Sequence, residues 1–79
     1  MTNQNILILA QLSILVSNKL SNDIMDNLNI NNNASAELVS RLVYEFYLKN
    51  NGITEFDEQN VLDYVKDKVN VLINNNTII

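Results

Sequence analysis

Histidine, cysteine, proline and tryptophan are absent from this 79-residue chain, and glycine occurs once, as Gly52. Each absence excludes something. Without Cys no disulfide forms, and without Cys or His the usual structural zinc site has no ligands. Ser13, Ser17, Ser21, Ser35 and Ser40 have no histidine to activate them. Without proline, and with a single glycine, almost nothing interrupts a helix.

Charge is also sparse. Five Lys and Arg against nine Asp and Glu give a net charge of −4, and charged residues make up 18% of the chain, below the roughly 25% of ordinary domains. Binding to nucleic acid or to an anionic membrane draws on clustered Lys and Arg, which this chain does not offer. A partner protein with a basic face is compatible with it. At this size the chain forms one domain, residues 1–79, and buries only about 60% of its unfolded surface when it folds alone. With no disulfide and no zinc to add stability, self-association is the remaining device.

What is abundant is asparagine, together with isoleucine, as in the proteins of AT-rich genomes and their phages. The asparagines fall mostly as polar surface and at the joints between apolar runs, where turns and caps select them. Three helical segments follow. The first runs from about Gln4 toward Asn27, with Thr2 or Asn3 as cap. Its leading half, Ile6 to Val16, is interrupted only by Gln11 and Ser13, so apolar side chains point in every direction. A helix apolar all round is buried all round. The run is too short to cross a bilayer, which takes about 20 residues. No Lys or Arg precedes it and no small-residue cleavage site follows, so neither a membrane span nor a secretory signal is expected, and the expected location is cytoplasmic. Beyond it Leu20, Ile24 and Leu28 keep a four-residue spacing, while Ser21-Asn22-Asp23 predicts a break or bend near Ser21.

The second helix is predicted to start with Asn33 or Ser35 as cap and to end at Asn50-Asn51-Gly52, with Gly52 as the left-handed stop. Leu38, Val39, Leu42, Val43 and Phe46 make its buried face. Glu37, Arg41, Glu45 and Lys49 alternate in sign at four-residue steps on the other face. Thr54, with Asp57 three residues on, predicts a capping box for the third helix, and Ile53 a hydrophobic staple. Val61, Val65, Val69 and Leu72 form its stripe, widened by Leu62, Tyr64 and Ile73, and Asn74-Asn75-Asn76 closes it. Thr77-Ile78-Ile79 is a short apolar tail that docks or frays. β-branched residues are common, but strict alternation and two-residue hairpin turns are missing, so the fold expected is all-α, a small bundle of three to four helices that dimerises.

Two motifs come close to a known chemistry. Gly52 and Glu58 have the separation of the sixth and twelfth positions of a calcium-binding loop, but Tyr47 and Lys49 would occupy the first and third ligand positions. A lysine in the cage repels the cation, so no metal or other cofactor is expected. The 35–73 helical pair has the outline of a helix-turn-helix. Gln59, Asn60, Lys66 and Lys68 would face DNA, yet Glu58, Asp63 and Asp67 would face it too. DNA binding is therefore the second reading, one that needs Lys66 and Lys68 of two chains brought together.

Carboxylates are the only strong acid–base candidates, and they lie at a helix start and on polar faces, so no enzymatic activity is expected. Tyr44, Phe46, Tyr47, Phe56 and Tyr64 make an aromatic cluster: Phe46 and Phe56, with part of Tyr44 or Tyr64, are assigned to the core and Tyr47 to the surface. The sequence thus points to a small accessory, adaptor or inhibitor protein that binds itself and another protein. The residues assigned to that contact are Ile6, Leu9, Leu12, Val16, Arg41, Tyr44 and Tyr47.

Overall fold

Only one four-residue row of the first helix stays apolar to its end: Ile8, Leu12, Val16, Leu20, Ile24 and Leu28. The computed structural model, which describes residues 3–76, buries that row from Ile8 to Ile24 and half-buries Leu28. Helix α1 runs unbroken from Asn3 to Leu28. The bend predicted at Ser21 is absent, because Ser21, Asn22 and Asp23 lie to the side of a row that passes through Leu20 and Ile24 without interruption. The candidate cap Thr2 and the tail 77–79 lie outside the described residues.

Each step of four residues advances about 40° around an α-helix, so the buried row winds across α1 and needs more than one neighbour to cover it. Two more helices supply them: α2, Asn32–Asn50, and α3, Glu58–Asn76. Helix α1 packs chiefly on α2, and α3 lies against both. The core joins the α1 row to Val39, Leu42, Val43 and Phe46 of α2, to Ile53, and to Val61, Leu62, Val65 and Val69 of α3. All regular structure among the described residues is helical. At about 39 Å, α1 is nearly as long as the 42 Å molecule.

Asparagine ends both α1 and α2. Asn29 and Asn51 each adopt the left-handed conformation, at φ 55°. At the first joint the Ile30 N–H donates to the Met25 carbonyl, 3.3 Å, and at the second the Gly52 N–H donates to that of Tyr47, 3.0 Å. These are the long backbone bonds of a Schellman stop. Asn27 and Asn50 add side-chain bonds to the carbonyls four residues back, of Asp23 and Phe46. The stop assigned to Gly52 therefore belongs to Asn51, and Gly52 follows at φ +154°, a region open chiefly to glycine. Asn31, not Asn33 or Ser35, caps α2, accepting from the Ala34 N–H at 2.8 Å. Ser35 is instead fully buried, and its hydroxyl has no hydrogen-bond partner.

The Thr54–Asp57 capping box is present. The Thr54 N–H donates to Asp57 Oδ2, 2.9 Å, and Thr54 Oγ1 accepts from the Phe56 N–H, 3.3 Å. It opens a 3₁₀ turn, Glu55–Asp57, that runs directly into α3. That turn overturns the placing of Phe56 in the core: the residue is 86% exposed. On α3 the row continues to the partly buried Ile73, four residues after Val69, and leaves Leu72 38% exposed.

Candidate interaction surface

The fourteen charged side chains of the chain, five basic and nine acidic, all lie between Lys19 and Lys68. The first four turns of α1 carry none. In that stretch Ile6, Leu7, Ile14 and Leu15 are exposed, Ile14 by 62%. Leu7, Ala10 and Ile14 stand at i, i+3 and i+7, one seam along the helix, with Ile6 beside it. A shallow groove of about 400 Å³ adjoins the seam, walled by Leu9, Ala10, Ser13 and Ile14 of α1 and by Ser40 and Tyr44 of α2. It is narrow-walled because Ala10, Ser13 and Ser40 are small. Tyr44 and Leu48, one turn apart on α2, extend the exposed apolar surface beyond it.

The residues assigned from sequence separate into two groups. Ile6 and Tyr44 are exposed and border this surface, and Leu9 is half-buried in the groove wall. Leu12 and Val16, 3% and 1% exposed, are core residues of their own chain and present nothing to a partner. Their row is the one that remains apolar through Leu28, so the fold claims it. Tyr47, assigned to the surface, is instead half-buried against the core, and Tyr44 is the more exposed ring. The two rings stack, with centroids 6.0 Å apart and planes 13° from parallel. Arg41 makes an exposed i,i+4 pair with Glu37, 2.8 Å, a contact worth a few tenths of a kcal/mol.

Leu7, Ile14 and Leu48 were not singled out in the sequence. The signal existed: the rows that start at Ile6 and Leu7 reach Asn18 and Lys19 within three steps, whereas the row from Ile8 never meets a polar residue. Rows that fade are the ones left outside.

A second cluster holds α3 to α2. The Tyr64 hydroxyl donates to the Glu45 carboxylate, and Lys49 and Lys68 each approach the same carboxylate at 3.7 Å. Their ammonium groups also lie over the Tyr64 ring, 5.3 and 5.5 Å from its centre, and Phe46 meets that ring edge-on at 5.7 Å. The Tyr64 hydrogen bond lowers the Glu45 pKa, partial burial opposes it, and the two lysines add to the lowering. Burial, and then the neighbouring carboxylate, raise that of Tyr64. The arrangement is a clamp between two helices. It also occupies Lys68, while Lys66 shares a groove with Asp23, Leu20, Ile24, Asn27 and Val69. Of the two lysines that a DNA contact would need, Lys68 is thus paired with the Glu45 carboxylate.

Among the described residues no helix is long and apolar enough to cross a membrane, and no three His, Cys, Asp or Glu side chains gather where they could hold a metal ion. No family model, curated protein or solved structure matches the chain.

Proposed function

We propose that the protein is a non-enzymatic interaction module, which self-associates through the outer face of α1 and acts in the cytoplasm as an accessory, adaptor or inhibitor of another protein. One observation carries this reading: the seam Leu7–Ala10–Ile14, with Ile6, Tyr44 and Leu48 around it, is an apolar surface in water with no charged side chain on the α1 side. Single exposed apolar residues are ordinary, but a continuous patch of several marks a contact. The perturbed titratable pair, Glu45 and Tyr64, is engaged in clamping α2 to α3, which favours binding over chemistry.

Sedimentation at micromolar concentration tests the proposal. The native protein should run as a dimer, and Ile14→Asp as a monomer with the same helical circular dichroism, because Ile14 takes no part in the core. A native protein that stays monomeric overturns the self-association.

A further inference from the structure

Leu7, Ala10 and Ile14 read large, small, large along one seam of α1. The pattern is the same in either chain direction, so a second copy running the opposite way presents the same sequence of sizes. We propose that two copies pair α1 against α1 antiparallel, Leu7 of one protomer packing on the partner's Ile14, and Ala10 of both at the two-fold axis. The proposal rests on the self-association reading and gives it a geometry.

Four features of the chain support a second copy as the occupant, and this direction for it. A two-fold interface must be complementary to itself, with projections and recesses on one surface. Here the Ile14 projection borders the recess made by Ala10, Ser13 and Ser40. Second, the molecule carries a net charge of −4, and two copies repel wherever charged faces meet. Among the described residues this register overlaps residues 3–18 of the two helices, a stretch with no charged side chain, and Lys19 falls beyond it.

Third, the area suffices. Ile6, Leu7, Ile14, Tyr44 and Leu48 each leave about half of their surface in water, on the order of 500 Å² together; their polar neighbours bring this toward the roughly 800 Å² per partner of a standard interface. Fourth, antiparallel helices oppose their macrodipoles, whereas parallel ones align them. A parallel pair would also carry the seam on into Ser17 and Ser21, polar against polar.

The absence of native cysteine makes the test clean, since any disulfide arises from an introduced pair. Leu7→Cys and Ile14→Cys proteins are prepared separately, checked for dimer by sedimentation while reduced, then mixed and oxidised mildly. The expected product is the mixed 7–14 disulfide, about tenfold over either homodisulfide, because only that pair has its Cβ atoms within bonding reach. Homodisulfides from each variant alone, with little mixed product, overturn the antiparallel register while leaving self-association standing.

If either substitution dissociates the dimer, a spin label on Asn18→Cys replaces the cross-link, read in a mixture with ¹⁵N-labelled native protein. The antiparallel pair broadens amides around Asn3 of the labelled chain; broadening around its own Asn18 overturns the register. A native protein that sediments as a monomer overturns both readings together.

Discussion

The first four turns of α1 and the junction of α2 with α3 hold their residues in place by different physics. The first carries no charged side chain, and the contacts that bury it are apolar: the row Ile8–Leu12–Val16, with Leu9 packed beside it. The junction is fixed by named polar contacts: the Glu45–Tyr64 bond with its two lysines, the Schellman stop at Asn51, the Thr54–Asp57 box. Apolar area dictates how much surface must leave water and says little about direction, because dispersion and the hydrophobic effect are not directional. Hydrogen bonds fix register. The first four turns of α1 carry apolar surface that no charge interrupts, and that surface is the candidate contact.

The largest test separates the two sides of α1 itself. Ile24 is fully buried, and Ile24→Ala should cost about 3 kcal/mol in urea unfolding, the usual result of leaving a cavity in a packed core. Ile14→Ala, ten residues earlier on the same helix, should change the stability of the isolated protomer by less than about 0.5 kcal/mol and weaken the dimer instead. Equal unfolding costs for the two would mean that Ile14 is covered within its own chain.

This contrast also explains what was legible in the sequence. The Thr54–Asp57 box and most of the buried faces of α2 and α3 could be read, since each rests on residues close in the chain. The burial of Leu12 and Val16 could not be read from the Ile6–Val16 run by itself. There every row looks alike, and only the continuation through Leu20, Ile24 and Leu28 distinguishes one. Ser21-Asn22-Asp23 suggested a break because Ser, Asn and Asp make good caps, yet on the outer side of a long helix the same residues are merely solvated. Phe56 misled for another reason. Hydrophobicity assigns it to the core, but the capping box fixes the backbone around it, and the 3₁₀ turn aims the ring outward.

The second joint gives a smaller effect. A Cβ at Gly52 would meet nothing within 4 Å, but the backbone sits at φ +154°. Gly52→Ala and Gly52→Val should therefore both destabilise by about 1 kcal/mol, with the cost in the backbone and not in a clash. Asn51→Gly should be close to neutral, since both residues tolerate the left-handed region. Thermal unfolding of the three variants checks this. A much larger loss for Val than for Ala at 52 would show that space, and not φ, sets the cost.

The smallest effect comes from the clamp, and pH exposes it. Glu45 titrates lower in the folded chain than in the unfolded one. Its contribution is therefore complete above the ordinary Glu pKa of about 4.3 and fades as the pH falls through the lowered folded value. Tyr64 titrates higher when folded, so its contribution is complete below the ordinary Tyr pKa of about 10 and fades as the pH rises through the raised value. Tyr64→Phe removes the hydroxyl and keeps the ring on Phe46. It should flatten the alkaline limb of the stability profile and shift the Glu45 step of the acid limb upward, toward the ordinary carboxylate range. Glu45→Gln should remove the Glu45 step and lower the pH at which Tyr64 ionises. Both halves of the comparison meet in these two variants: neither should alter the dimer, because the clamp and the α1 seam share no residue. A dimer that dissociates on Tyr64→Phe would join the two regions into one surface and end the distinction between them.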